Sequence, residues 1–238
     1  MQGRGQAVLI LVSALLFAGC AAPLKKQAFN REAAREVRAV VVSQQPNQDS
    51  YEAAVLGHPG MSFGLIGGLI AAADIASKSA KLTTAIDPAQ TRLQDRFVAD
   101  LRSALERAGY AATTVPLAKD TTDAALIDVA RKNGSADAVL RTEIIGGYWA
   151  AGPTSQYIPR VLVRAKLLAM KDGATLFEDT FSYGYAVANA STIHLGADTR
   201  YNFSNIDALV ADPAVTRQGL LDGVTAIAGQ IAADIKRN

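Results

Sequence analysis

The stretch RVLVRAKLLAMKDGATLFEDTFSYGY, residues 160–185, decides how this chain folds. Its first half places Val161, Val163, Ala165 and Leu167 on one side and Arg160, Arg164 and Lys166 on the other. A period of two marks a strand with one buried face. Lys171-Asp172-Gly173-Ala174 carries the Asp-Gly signature of a two-residue hairpin, so TLFEDTFSYGY returns antiparallel. That turn predicts Lys166 opposite Asp179, Arg164 opposite Phe181, Leu162 opposite Tyr183 and Arg160 opposite Tyr185. One face would then join cations to aromatic rings, and the other, with Leu176 added, would pack under helices.

Working outward, AVLRTEIIGGYW (138–149) reads as a neighbouring strand, and TTDAALIDVARKNG (121–134) as a capped helix stopped by Gly134. AATTVPL (111–117) is a further strand. Before it, Asp87 can cap a helix over 88–108, with Pro88 at its first position and Gln90 where a capping-box partner belongs. Leu93, Phe97, Leu101 and Leu105 give this helix one apolar face, and Gly109 ends it. The β-branched run VRAVVVS (37–43) predicts a short buried strand. Asp212 and Pro213 open a final helix with Leu220, Val224, Ile227, Ile231 and Ile235 on one face. Residues 44–51 read as a polar loop, and 186–212 carry no steady period, so they too read as a long loop. The order predicts an α/β fold, a two- or three-layer sandwich whose mixed sheet contains an antiparallel hairpin and carries helices mainly on one face.

Between the first strand and the long helix lies an apolar, Gly-rich insertion, residues 57–82, centred on Gly64, Leu65, Ile66, Gly67 and Gly68. Its small-residue face permits close helix approach. Two readings stay open: an apolar helix packed under its own domain, or an element that touches membrane or a second copy. Its apolar part, residues 61–73, is too short to span a bilayer, which takes about 20 residues. The segment 148–159, YWAAGPTSQYIP, gathers Tyr148, Trp149 and Tyr157, either as a contact surface or as cover for a sheet edge.

Catalytic and metal signatures are weak. His58 and His194 have no partner at ligand spacing. There is no G-x-S-x-G or S-x-x-K serine motif, and GLIGG matches neither phosphate-binding glycine pattern. Ser77, Lys78, Ser79 and Lys81 read as the polar end of a helix. Glu143, Glu178 and Asp179 fall on strands, where salt bridges to Arg141 or Lys166 are expected. No cofactor is expected beyond lipid carried on Cys20.

The amino terminus has the order of a secretory signal over residues 1–19: Arg4, the apolar run AVLILVSALLFA, then small residues. Cys20 is the single cysteine, so it cannot form an internal disulfide. LFAGC resembles the lipobox of bacterial lipoproteins, although Phe17 stands where Leu is usual. The resemblance implies cleavage before Cys20, a thioether-linked diacylglycerol and an N-acyl chain on that residue. Ala21 in place of Asp implies sorting to the outer membrane, with the protein facing the periplasm. Residues 20–36 would then be lipidated cysteine and tether, and 37–238 one periplasmic domain. Cleavage removes Arg4 and leaves 23 basic against 22 acidic residues, a balance that offers nucleic acid no electrostatic footprint.

From Ala125 to Tyr185, ARKNGSADAVLRTEII, the loop after it and RVLVRAKLLAMKDGATLFED resemble the periplasmic domain of curli-secretion-type lipoproteins and the related TolB amino-terminal-like domain. The resemblance implies a non-enzymatic role in envelope assembly or export, acting through an envelope protein partner or self-association. It leaves two alternatives: a component of an oligomeric secretion channel, or a carrier of a small molecule or lipid with its cavity between helix 88–108 and the sheet.

Overall fold

The computed structural model describes residues 25–58, 64–186 and 191–237. Seven strands form one mixed sheet in the order β3-β1-β4-β5-β6-β7, with β2 paired to the far half of β4. They are β1 (Ala39–Gln44), β2 (Glu52–Val55), β3 (Ala111–Pro116), β4 (Ala138–Ala150), β5 (Ile158–Ala169), β6 (Thr175–Gly184) and β7 (Ile193–Leu195). The helices are α1 (Gly64–Ile86), α2 (Pro88–Thr91), α3 (Leu93–Arg107), α4 (Asp123–Lys132), α5 (Ile206–Ala211) and α6 (Pro213–Asp234). This is the expected α/β sandwich. The main core lies between the sheet and a layer that includes α1, α3, α5 and α6. On the opposite face α4 is the one helix among the described residues, burying Leu126, Ile127 and Ala130 against Val41, Val115, Val139, Leu168 and Met170.

The helix expected over 88–108 is two helices. Asp87 does cap α2, accepting from the Ala89 amide, but Arg92 adopts a left-handed conformation at φ 43° and breaks the run. The cap of α3 comes from far away in sequence: Asn47 Oδ1 accepts from the Gln94 and Asp95 amides at 2.9 and 3.2 Å. A side-chain oxygen on those amides does what a local N-cap would do. The apolar face expected here, Leu93, Phe97, Leu101 and Leu105, is buried, as is that of α6.

The hairpin register differs from the expected one by a residue. Lys166 pairs with Glu178, Arg164 with Thr180, Leu162 with Ser182 and Arg160 with Gly184. Gly173, at φ 75°, donates to the Ala169 carbonyl, and Ala169 donates to Ala174. This turn is longer than two residues, and an irregularity follows between Leu167 and Leu168. A one-residue slip exchanges the faces of a strand. Phe177, Phe181 and Tyr183 therefore lie beside Leu167, Val163 and Val161 in the main core, not beside the cations.

The polar loop expected after β1 is present and leads into β2, a strand too short to show a period. Two other segments of the chain differ from the expectation. The stretch 186–212 contains β7, a 3₁₀ turn at Thr199–Tyr201 and α5. Residues 26–36, expected as tether, belong to the packed domain: Gln27 bridges to Glu178, Lys26 lies 3.2 Å from Asp179, and Ala34 is buried with Val37. Cys20 and the signal segment lie outside the described residues.

Candidate functional site

Because α4 covers only one end of its face, the rungs of β4, β5 and β6 beyond it carry no helix. The rung Arg141–Lys166–Glu178 comes first, then Glu143–Arg164–Thr180, then Ile145–Leu162–Ser182. Strand alternation sends all nine side chains to the same open face.

The first two rungs form a network of alternating charge. Arg141 reaches Glu143 at 2.9 Å and Asp123 at 3.2 Å. Lys166 holds the other Asp123 oxygen at 2.7 Å and stands 4.0 Å from Glu178, whose carboxylate also accepts from Arg164. Lys25 and Thr121 join these groups around a cavity of about 430 Å³. Each of the three carboxylates has its cation, so the arrangement fixes side chains in place; it does not leave an acid and a base facing a common substrate atom. Asp179, on the other face, pairs with Lys26.

Partial burial raises the Asp123 pKa, but the hydrogen bond and charge of Lys166, with Arg141 beside it, outweigh that and hold it below the ordinary carboxylate value. A depressed folded-state pKa contributes stability above the unfolded value, about 3.9, and that contribution is lost as pH falls through the folded value. Asp123→Asn should therefore lower stability at pH 7 and show a shallower further loss on acidification than the parent. Urea unfolding at pH 7 and at pH 3 checks this; an equal deficit at both would remove Asp123 from the acid limb.

At the other end the face turns aromatic. The Trp149 indole donates to Glu52 at 2.9 Å, while the Arg160 guanidinium carbon sits 3.7 Å from the ring centroid. Tyr185 packs against the same ring at 5.9 Å. Burial lowers the Arg160 pKa, partly offset by Glu52, and Arg160 Nε has no hydrogen-bond partner among the described residues. Ile145 is 55 % exposed between this group and the charged rungs.

Of the aromatic residues proposed from sequence as a contact surface, only Trp149 stands on this face. Tyr148 is fully buried, its hydroxyl donating to Thr216 O at 2.9 Å on the helix side, and Tyr157 is 4 % exposed, so neither ring is a surface contact. Alternation separates Tyr148 from its neighbour: adjacent strand residues point to opposite faces. Gly64 to Gly67 lie in α1 and their side-chain surroundings are outside the described residues; Gly68 is half-buried with open space around its Cα. Leu69 and Ile70, the next two residues of α1, are 64 % and 59 % exposed. Sequence placed Arg160 on the cation face beside aromatic rings but missed Ile145, whose one available signal was a large apolar side chain on the polar face of an alternating strand.

A second space, about 520 Å³, opens where β1 has left β4 and β2 has not yet joined it. The Gln48 side-chain amide fills part of that gap, accepting from Gly146 N at 2.9 Å and donating to Gly146 O at 3.1 Å. Gln94, whose Nε2 is buried without a partner among the described residues, lines it together with Leu93, Ile144 and Ser79. Among the described residues no group of three or more His, Cys, Asp or Glu could hold a metal ion.

No family model matches the chain, and no curated protein matches it. Among solved structures, it is similar to the PelC dodecamer from Paraburkholderia phytofirmans, with 13 % identity over 90 % of this chain and 96 % of that one and a TM-score of 0.36. It is similar to protein XCC0632 from Xanthomonas campestris, with 14 % identity, 82 % and 84 % coverage and a TM-score of 0.40. Lipoprotein GNA1162 from Neisseria meningitidis aligns at 12 % identity over 64 % of this chain and 85 % of that one, with a TM-score of 0.26.

Proposed function

We propose that this chain is a non-enzymatic, lipid-anchored envelope protein that serves as a scaffold or accessory in assembly or export, binding a protein partner through the open face of β4, β5 and β6. The observation that carries the reading is the pairing of an exposed Ile145 and a Trp149–Arg160 stack with fixed charged rungs on the part of one sheet face that α4 leaves uncovered. Protein interfaces combine such features: aromatic and arginine anchors, an apolar centre and charges that set register and orientation. The anchor is the part supported by sequence, through Cys20 and the signal that precedes it.

The test is a photo-cross-linking residue at position 145 in cells, with a second at Arg102 on α3, an exposed position on the opposite side of the molecule. The expected result is one discrete envelope protein captured from position 145 and absent from position 102. Equal capture from both positions, or capture of nothing, would sink the reading.

A further inference from the structure

We propose that the amino-terminal half of α1 is a second membrane contact, seated on the bilayer surface beside the lipid anchor. This inference rests on the reading of Cys20 as lipidated.

Three observations converge. The first is the direction of α1. It runs antiparallel to β2, with Thr83 Oγ1 accepting from the Tyr51 amide, Ser79 Oγ from the Ala53 amide, and Asp74 lying 3.5 Å from His58. The strand ends at Val55, level with the turn of α1 that holds Asp74. Residues 64–73 therefore continue past the end of the sheet, by about 15 Å at about 1.5 Å per residue.

The second is what the overhang exposes. Leu69 and Ile70 stand adjacent on it, and Leu56, on the turn after β2, is 41 % exposed. These three, with Ile145 on the sheet, are the large apolar side chains found exposed among the described residues. The acidic and basic groups of α1 begin at Asp74, where Lys78 pairs with it at 2.6 Å. The helix is thus apolar where it runs past the strand, with Ala71 buried on one side and Leu69 and Ile70 exposed on the other, and charged alongside the strand. No described helix is long and apolar enough to cross a membrane, so a contact made here is interfacial, with apolar side chains entering about 5–10 Å into the headgroup and acyl boundary.

The third is the length of chain that leads to the anchor and the direction it takes. Gln27 and Glu178 exchange both backbone hydrogen bonds, at 2.7 and 3.0 Å, as an antiparallel bridge. Upstream of Gln27 the chain therefore heads toward the Gly184 end of β6. Strands β4 and β6 each run antiparallel to β5, so that is also the end at which β4 finishes, β2 finishes and α1 overhangs. Four residues, 21–24, separate Lys25 from Cys20, and the five Cα–Cα steps reach at most about 18 Å. From the rung of Thr180 and Glu143 to Ala150, the end of β4, is about 23 Å at about 3.3 Å per residue. At full stretch this lead stops short of Ala150, so the anchor draws the bilayer in against this end of the sheet, and the overhanging turns of α1, which extend past it, are brought into contact. A bilayer is the occupant that this geometry brings to them. A second copy or a protein partner would require the tip to be held away from the membrane.

The full acylated protein is reconstituted in vesicles of phosphatidylethanolamine and phosphatidylglycerol. Acylation blocks the single native thiol, so Ile70→Cys can be labelled with an environment-sensitive fluorophore. Lys171→Cys, on the β5–β6 turn at the opposite end, is the control. The expected result is a blue shift and strong quenching by nitroxide-bearing lipid at position 70, with neither at 171. Adding Leu69→Glu to the labelled protein should abolish both signals at position 70; this exposed site can change without disturbing the core. An acylated Cys20 with no quenching at 70 would overturn the membrane contact and leave the anchor standing. Self-quenching between labels at 70, without quenching by lipid, would assign the tip to a second copy and overturn it equally. An unmodified Cys20, read from the mass of the mature chain, would remove the anchor and this inference together.

Discussion

Phe97→Ala is expected to destabilise the domain by about 3–5 kcal/mol, the range for emptying a well-packed aromatic site. Phe97 is fully buried at the centre of the α3 face, among Leu93, Leu101 and Leu105, and belongs to the main core between that helix and the sheet. The ring is fixed there from several sides, so collapse around the void is limited. Set against the roughly 5–15 kcal/mol by which a domain is stable, this loss removes a large share of the total. Urea unfolding should show a lower midpoint with an unchanged slope, since the same surface is exposed on unfolding. A midpoint shift worth under about 1 kcal/mol, where solvent-exposed replacements usually fall, would mean that α3 is not packed as described.

Gly147→Val should have a more local consequence and a comparable cost. Gly147 lies on β4 directly beside Glu52 of β2, in a register that holds for Glu52 to Val55. A Cβ at this position would overlap the Glu52 carbonyl oxygen and stand 3.1 Å from its nitrogen. Backbone cannot rotate aside as a side chain can, so β2 has to move. Overpacking costs about 1–3 kcal/mol and occasionally more. The motion should propagate along one route, because β2 carries α1 through the Tyr51–Thr83 and Ala53–Ser79 hydrogen bonds. Hydrogen exchange is the readout: the amides of Ala53 to Val55 and of α1 should lose protection while those of β5 and β6 keep theirs. Uniform loss across the sheet would show that β2 and α1 do not open as a unit.

The same coupling links fold to function. The turn after β2 leads toward α1, whose overhang is the proposed membrane contact, while Glu52 of β2 holds Trp149 on the open sheet face. One short strand thus positions parts of both surfaces.

The cap of α6, the apolar faces of α3 and α6 and the existence of the β5–β6 hairpin were legible in the sequence because each depends on residues within one or two turns of one another. Asp212 accepts from Val215 in the space of three residues, and Pro213 fits the first helical position whatever surrounds it. The expectation of a secretory signal before Cys20 rests, for a related reason, on a linear pattern that needs no fold. Other features rest on partners distant in the chain. Asn47 caps α3 across nearly fifty residues, so the break at Arg92 has no local sign. Strands β2 and β7 are too short to display a period and exist because long neighbours, β4 and β6, offer unpaired edges. The register of the hairpin was decided by burial: shifting it by one residue brings Phe177, Phe181 and Tyr183 into the main core and leaves Glu178 beside Lys166 and Arg164. An Asp-Gly pair favours a turn within a span of four residues, but it cannot weigh three aromatic side chains against water. The sequence by itself determined the long strands β4, β5 and β6 and the apolar faces of α3 and α6, whose period is local. Only the tertiary structure decided which faces those strands present, because a strand's face is settled by its partners across the sheet.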